Sequence, residues 1–194
     1  MIENPLILSI ETTGQSCGVV LSKGEILLSE YTIFVNNLHD KLLAELTYRI
    51  INDLQYSFDN LDAIAVSAGP GSFTGLRIGV AFAKGLCFND NIKLIEVPTL
   101  EAFAFASIEF AKSCNALQIV SIIKSHQDLF YIQKFNSFAE KVSEIEMIQF
   151  EELNQLDFTN SVVSGTNIQK GFNLSGLQRL TPRFRNGQNL DRRK

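Results

Sequence analysis

The chain is poor in the residues that build metal sites and disulfide frameworks, and it lacks a long apolar run. Its 194 residues include only three cysteines. Cys17, Cys87 and Cys114 are odd in number, widely spaced and in no Cys-x-x-Cys pair, so neither a disulfide framework nor a zinc site is expected. No stretch reaches the ~18 uninterrupted apolar residues of a membrane span, so we expect no membrane-spanning helix.

Histidine is scarcer still, because His39 and His126 are the only two. On a helix, the neighbours of His39 on its own face are Val35 and Leu43, neither of which can bind a metal. Two histidines far apart in the sequence also give no Ser/His/Asp arrangement that can be tested. We therefore interpret both as surface or cap residues and expect no metal, no cofactor and no catalytic residue.

Positive charge is concentrated in one segment. The formal net charge is −4, and residues 182–194 carry a net +4, which leaves −8 for the rest of the chain. An acidic body lacks the clustered cations that a nucleic-acid binder needs. We interpret the basic tail as a solvated terminus, with contact to RNA as the alternative.

The amino-terminal sequence does not read as a secretion signal. MIENPLILSI has Glu3 and Pro5 where a signal peptide would place positive charge before a long apolar run. With 45% hydrophobic and 20% charged residues, the composition is that of an ordinary soluble protein with a substantial core. Together with the scattered cysteines, this favours a cytoplasmic protein.

What the sequence does contain is a regular order of strand-type and helix-type segments. Three strands are predicted over residues 6–34 and an amphipathic helix over Asn37–Leu54, with Asn37 as its N-cap. A strand at 61–69, a helix ending near Phe88, a strand at 93–99 and a helix at 100–113 follow. The order βββαβαβα predicts a mixed sheet with helices packed on it.

The second half is shorter and mostly strand. Strands are predicted at 116–125, 129–135, 142–150 and 161–165. Helical periodicity stops near residues 110–116, which predicts two domains, residues 1–112 and residues 113–194, the second small and ending in the basic tail.

Residues 69–79 read GPGSFTGLRIG, which meets neither nucleotide-binding signature. The Walker pattern needs a lysine directly after its second glycine, and the dinucleotide pattern needs shorter glycine spacing. On a helix, however, four positions form one ridge of small residues: Gly71, Gly75, Gly79 and Ala83. Because interior helical glycines cost ~1 kcal/mol each, close packing against this ridge is expected.

Three interpretations of the ridge stay open. It packs inside the protein against the helix of Leu38–Leu54, or it receives a partner helix beside Phe73, Leu76 and Arg77. A weaker alternative is anion binding at the start of the helix, assisted by Ser72 and Thr74.

A second loop, ETTGQS, joins the first two strands. It begins with a carboxylate and is rich in hydroxyls, like the phosphate-binding loops of the sugar kinase, chaperone and actin superfamily, and its candidate contacts are Glu11, Thr12, Thr13 and Ser16. Those folds use one such loop in each domain. In the second half, the matching turn reads IIKSHQD and has Lys124 where an acidic residue would be expected.

Four stretches together resemble the bacterial TsaB family, also called YeaZ-like. They are ILSIETT at 7–13, LHDKLL at 38–43, SAGPGSFTGLRIGVAFAKGL at 67–86 and VPTLEAFA at 97–104. The resemblance implies an actin-like (ribonuclease H-like) two-domain α/β fold. Two departures bear on these implications: Glu11 in place of the usual Asp weakens the case for a phosphate contact in the first loop. Lys124–His126 in place of an Asp-Ala-Arg type turn, with the short second half, suggests a degenerate second domain.

The resemblance also implies a function. It implies an accessory, non-catalytic scaffold of the complex that transfers a threonylcarbamoyl group to the adenosine next to the anticodon in tRNAs reading ANN codons. Its partners would be a TsaD-like catalytic subunit and a TsaE-like ATPase, with tRNA reached through the complex and a homodimer as a further possibility. The implied interface lies on the first two helices and comprises Leu38, His39, Leu42, Leu46, Gly71, Ser72, Phe73, Thr74, Gly75, Leu76, Arg77, Gly79 and Ala83.

Two other functions remain in competition with the scaffold. An actin-like ATPase or phosphotransferase would use the Glu11–Ser16 loop, in which case the purified chain would bind ATP. A self-associating structural protein would neither bind ATP nor pair with a TsaD-like subunit.

Overall fold

A computed structural model describes residues 3–34, 39–88, 91–166 and the backbone of 179–180. The chain divides into two compact units, Met1–Thr99 and Leu100–Lys194. The division lies before the predicted boundary at residue 112. Residues 181–194, which include the basic tail, lie outside the described residues, as does Asn37, the predicted N-cap.

The first unit contains five strands and two main helices. They are β1 (Leu6–Glu11), β2 (Ser16–Lys23), β3 (Ile26–Phe34), α1 (His39–Asp53), β4 (Ala63–Gly69), α2 (Phe73–Leu86) and β5 (Lys93–Pro98), with a short 3-10 helix at Phe58–Asn60. Apart from the 3-10 helix, this is the predicted order. The sheet runs β3-β2-β1-β4-β5, in which β1, β2 and β3 are antiparallel and β4 and β5 are parallel to β1.

One face of this sheet builds the core of the first unit. Leu8 of β1 lies opposite Leu21 of β2 and Ile64 of β4, and all three side chains are fully buried. The apolar side of α1, which was predicted to be an amphipathic helix, covers this face with Leu43 and Ile50. The alternation of buried and half-buried residues along β1 is what a strand with one covered face should show.

The second unit is built around another five-stranded sheet. Its elements are α3 (Thr99–Ala106), α4 (Ile108–Ser113), β6 (Gln118–Lys124), β7 (Leu129–Asn136), β8 (Glu146–Gln149), α5 (Phe150–Leu153), β9 (Ser161–Thr166) and β10 (Arg179–Leu180). Apolar clusters cover both faces. One joins Leu100 and Ala111 of the helices to Phe135, and the other joins Leu153 to Ile122. The helices after Thr99 thus pack on the second sheet, which explains the early division of the chain.

Two local features differ from the sequence prediction. The helix predicted over 100–113 is broken at Ser107, whose Oγ donates to the Phe103 carbonyl at 2.8 Å and whose N–H bonds to Ala104 at 3.0 Å. The strand predicted to end at residue 150 stops at Gln149, because the Glu152 side chain accepts from the Gln149 N–H at 2.9 Å and starts α5.

The two units share one topology, although no internal sequence repeat is visible. The second sheet runs β8-β7-β6-β9-β10, with the same parallel and antiparallel neighbours as the first. Among the described residues, the two units differ in the helix after the third strand. It has 15 residues in the first unit, as α1, and 4 in the second, as α5.

Candidate functional site

The loop after β1 is held to the start of α2 by hydrogen bonds. The Glu11 carboxylate accepts from the backbone and hydroxyl of Thr13, both at 2.5 Å, and from the Ser67 hydroxyl. The Thr12 hydroxyl donates to the Gly75 carbonyl at 2.8 Å, and the Thr13 carbonyl accepts from the Ser72 N–H at 2.9 Å. Thr12 and Thr13 are buried. The Glu11 carboxylate, the Thr12 hydroxyl and the Thr13 backbone and hydroxyl therefore have partners within the first unit.

The small-residue ridge of α2 faces this loop. A Cβ at Gly75 would meet the Thr12 carbonyl oxygen, one at Gly79 would meet the Thr12 hydroxyl, and one at Gly71 would lie 2.6 Å from the Thr13 Cβ. Ala83 is fully buried in the same core. The glycines allow the helix to lie against the end of β1.

This geometry corrects the predicted partner surface. Gly75, Gly79 and Ala83 are buried, so the ridge itself is not available to a partner helix. The alternative that it packs within the protein is right, but its close neighbours are Thr12 and Thr13 rather than the helix we expected. The helical spacing of the small residues predicted that another part of the chain packs closely against α2. It did not indicate which element that is.

The opposite side of α2 is exposed. Phe73 is 72% exposed and lies under the Arg77 guanidinium, which is 4.9 Å from the ring centroid, and Phe88 beyond the helix is 85% exposed. Between them lie Ala81 and Gly85, both exposed, and a Cβ at Gly85 would meet nothing within 4 Å. We call the residues Phe73, Arg77, Ala81, Gly85 and Phe88 the outer surface of α2.

The remaining predicted interface positions have mixed environments. On α1, Leu46 is buried and Leu42 half-buried, whereas Tyr48, which sequence reasoning did not select, is exposed. On α2, Ser72 and Thr74 are exposed and Leu76 is half-buried. Leu38 and the side chain of His39 lie outside the described residues.

The start of α2 has its own cap. The Ser72 hydroxyl accepts from the Gly75 N–H at 3.3 Å, and Ser72 donates its own N–H to Thr13. The Ser72 hydroxyl, predicted to assist an anion, is thus engaged in the cap, and the Ser72 and Gly75 N–H groups already have partners.

The matching turn of the second unit follows β6. Lys124 is exposed and lies 5.9 Å from the Phe130 ring centroid, and Ser125 and His126 contact each other at 3.2 Å at the surface. The backbone of Ser125 bonds to the Leu129 carbonyl at 2.8 Å. This is an ordinary hairpin turn: β6 ends with Lys124 where β1 ends with Glu11, and the turn contains no threonine.

Cys17 is the only cysteine of the three that is fully buried. Burial, and secondarily the negative charge of Glu11, raises its pKa from 9.0 to about 11. Such a thiol stays protonated and unreactive at neutral pH. Across residues 3–34, 39–88 and 91–166, no group of three potential ligands could hold a metal ion.

Comparison with known proteins adds the family. Residues 34–185 match the family model for TsaD, tRNA N6-adenosine threonylcarbamoyltransferase. The chain is also 26% identical over 178 residues to the tRNA threonylcarbamoyladenosine biosynthesis protein TsaB of Haemophilus influenzae, which covers 85% of this chain and 73% of that protein. The chain belongs to the family of that model, as a TsaB-like (YeaZ-like) member.

Two further comparisons show how far the likeness extends. The TsaB-like chain is 33% identical to TsaB of Bacillus subtilis over 98 residues, covering 50% of this chain and 43% of that one, so the chain aligns with less than half of that relative's length. The structure of YeaZ from Pseudomonas aeruginosa matches with a TM-score of 0.68 at 19% identity, covering 83% of this chain and 75% of that one. The fold is therefore actin-like, as predicted.

No helix among the described residues of the TsaB-like chain is long and apolar enough to cross a membrane.

Proposed function

We propose that the chain is a non-catalytic scaffold in the biosynthesis of threonylcarbamoyladenosine in tRNA. It would pair with a TsaD-like catalytic subunit in a cytoplasmic complex with a TsaE-like ATPase, and it would reach tRNA through that complex. The reaction is transfer of a threonylcarbamoyl group to the adenosine next to the anticodon in tRNAs that read ANN codons. Family membership and the name of the H. influenzae relative support this assignment.

The observation that carries the scaffold role is the division of α2 into two sides. Its inner side, with Gly75 and Gly79, is fixed against the loop after β1. Its outer side presents two exposed phenylalanines, an arginine and the small residues Ala81 and Gly85, which leave room for a partner helix to approach. Tyr48 of α1 adds an exposed aromatic side chain to the same pair of helices.

The loop after β1 supports a structural role in place of a phosphate-binding one. The Glu11 carboxylate accepts three hydrogen bonds from within the unit, and the Thr12 hydroxyl donates to a helix carbonyl. A phosphate would have to displace these contacts. The hydrogen bonds position the start of α2, and therefore its outer surface.

The direct test is co-purification with the TsaD-like subunit, using Gly85→Leu as the disrupting variant. A Cβ at exposed Gly85 would meet no atom within 4 Å in the chain alone, so we expect a leucine there to clash with a partner and not with the chain itself. Overpacking of ~1 to 3 kcal/mol would weaken pairing roughly five- to a hundredfold, with no fall in melting temperature.

Lys112→Leu on α4, also at an exposed helical position, is the matched control and should pair normally. Normal pairing by Gly85→Leu would refute the assignment of the outer surface. Sedimentation of the chain alone distinguishes a homodimer that uses the same surface.

A further inference from the structure

The second unit contains a cavity of about 450 Å³ that the proposed function does not use. Its floor is aliphatic, formed by Ile132 of β7, Ile148 of β8 and Leu156 after α5. This volume lies in the range of small-molecule sites, which combine an apolar floor with a few polar groups.

The duplicated topology explains why the cavity exists. In the first unit, α1 follows the third strand and packs on β2 and β3, filling that part of the sheet face with side chains such as Leu43 and Ile50. In the second unit, the corresponding helix is the four-residue α5. The short α5 and the residues after it cover this face with Leu153 and Leu156, but they leave a cavity beside β7 and β8.

The cavity is lined by side chains of opposite charge that are separated from each other. Glu146 lies directly opposite Ile132, and Lys134 is two residues further along β7 on the same face. Such diagonal neighbours have Cα atoms about 7 to 8 Å apart. The ion pairs of the described residues include neither Lys134 nor Glu146. The cavity therefore presents an ammonium and a carboxylate that do not neutralise each other.

A second carboxylate, that of Glu152, lines the cavity but already has a structural partner. Its Oε2 accepts from the Gln149 N–H at 2.9 Å and caps α5. Glu146 is thus the carboxylate that can bind a ligand at no cost to the fold.

From these features we infer that the cavity binds a free aliphatic α-amino acid. The ligand carboxylate pairs with Lys134, its ammonium with Glu146, and its side chain covers the floor of Ile132, Ile148 and Leu156. A nucleotide does not fit, because one lysine faces two carboxylates and the residues lining the cavity include no aromatic ring for base stacking.

The test is an NMR titration of the full chain with three isosteric probes. L-Leucine has both charges, L-leucinamide lacks the carboxylate and 4-methylpentanoate lacks the ammonium. Leucine should shift the amide signals of β7 and β8 with a dissociation constant on the order of 1 mM, and the other two should bind at least about tenfold more weakly.

Two variants assign the charges. Lys134→Met should weaken leucine binding at least about tenfold and remove the preference of leucine over leucinamide. Glu146→Gln should remove the preference over 4-methylpentanoate. Lys112→Met, which removes an exposed lysine on α4, is the control and should bind leucine normally.

Thermal unfolding of each variant shows that it is folded. The inference is overturned if leucine gives no saturable shift, if all three probes bind equally, or if leucine binding survives Lys134→Met unchanged. None of these results depends on pairing with a TsaD-like subunit, so the proposed function stands or falls separately.

Discussion

At the scale of single residues, the two sides of α2 are distinguished by what a methyl group would touch. Gly75 and Gly79 lie against Thr12, whereas Gly85 in the same helix faces open space. All three have the same intrinsic cost in a helix, so sequence alone cannot tell them apart. The structure separates a glycine required by packing from one that packing does not require.

Gly79→Ala should therefore destabilise the chain, because its Cβ would meet the Thr12 hydroxyl. A loss of about 1 to 3 kcal/mol is expected, which lowers the melting temperature by roughly 2 to 4 °C per kcal/mol in a protein of this size. Gly85→Ala is the matched control and should be stabilising by up to about 1 kcal/mol. Equal melting temperatures for the two variants would show that the ridge is not tightly packed.

Cys17 gives a prediction about pH. Its pKa is raised to about 11 in the folded chain and is ordinarily 9.0, so between these values the folded state retains a proton that the unfolded state has lost. The free energy of unfolding should therefore be unaffected below pH 9 and fall by about 2 kcal/mol as pH rises from 9 to 11. Denaturant titrations of the parent chain and Cys17→Ala, taken as a difference at each pH, isolate this contribution. A difference that does not change across this window would contradict it.

At the scale of elements, the order of the strands up to β9, and of the helices up to α3, was predictable from periodicity. The interior of the second half was harder, because the break at Ser107 and the start of α5 depend on side-chain bonds that compete with helix and strand. Only part of the outer surface of α2, the candidate site, could be predicted from the sequence. The sequence placed Phe73 and Arg77 beside the ridge. Ala81, Gly85 and Tyr48 belong to no motif, and only their exposure in the structure identifies them.

The loop after β1 leads to a prediction about nucleotide. Because Thr12 and Thr13 are buried and hydrogen-bonded to α2 and Glu11, ATP with Mg²⁺ should not raise the melting temperature of the isolated chain. A ligand at a hundred times its dissociation constant would add about 2.7 kcal/mol of stability. A rise of that order would favour the ATPase or phosphotransferase alternative over the scaffold.

At the scale of the whole molecule, one topology supports two different surfaces. The first unit has a 15-residue α1 over its sheet, and that helix stands beside an α2 whose outer side is exposed. The second unit has a four-residue α5 and a cavity. The duplication was invisible in the sequence because topology depends on strand order and direction, which many unrelated apolar patterns can specify.

Because the two units have separate hydrophobic cores, a core substitution in one unit should destabilise mainly that unit. The first core is built from residues 6–94 and the two clusters of the second unit from residues 100–163. Ile64→Ala should cost about 2 to 5 kcal/mol and Phe135→Ala about 3 to 5 kcal/mol, because both side chains are fully buried. Hydrogen exchange should then show lost protection in β1 and β4 for the first variant, and in β6 and β7 for the second. Because the proposed partner surface lies on α1 and α2, pairing should be weakened by Ile64→Ala and retained by Phe135→Ala. Loss of pairing in both variants, with β1 and β4 still protected in Phe135→Ala, would place part of the partner surface on the second unit.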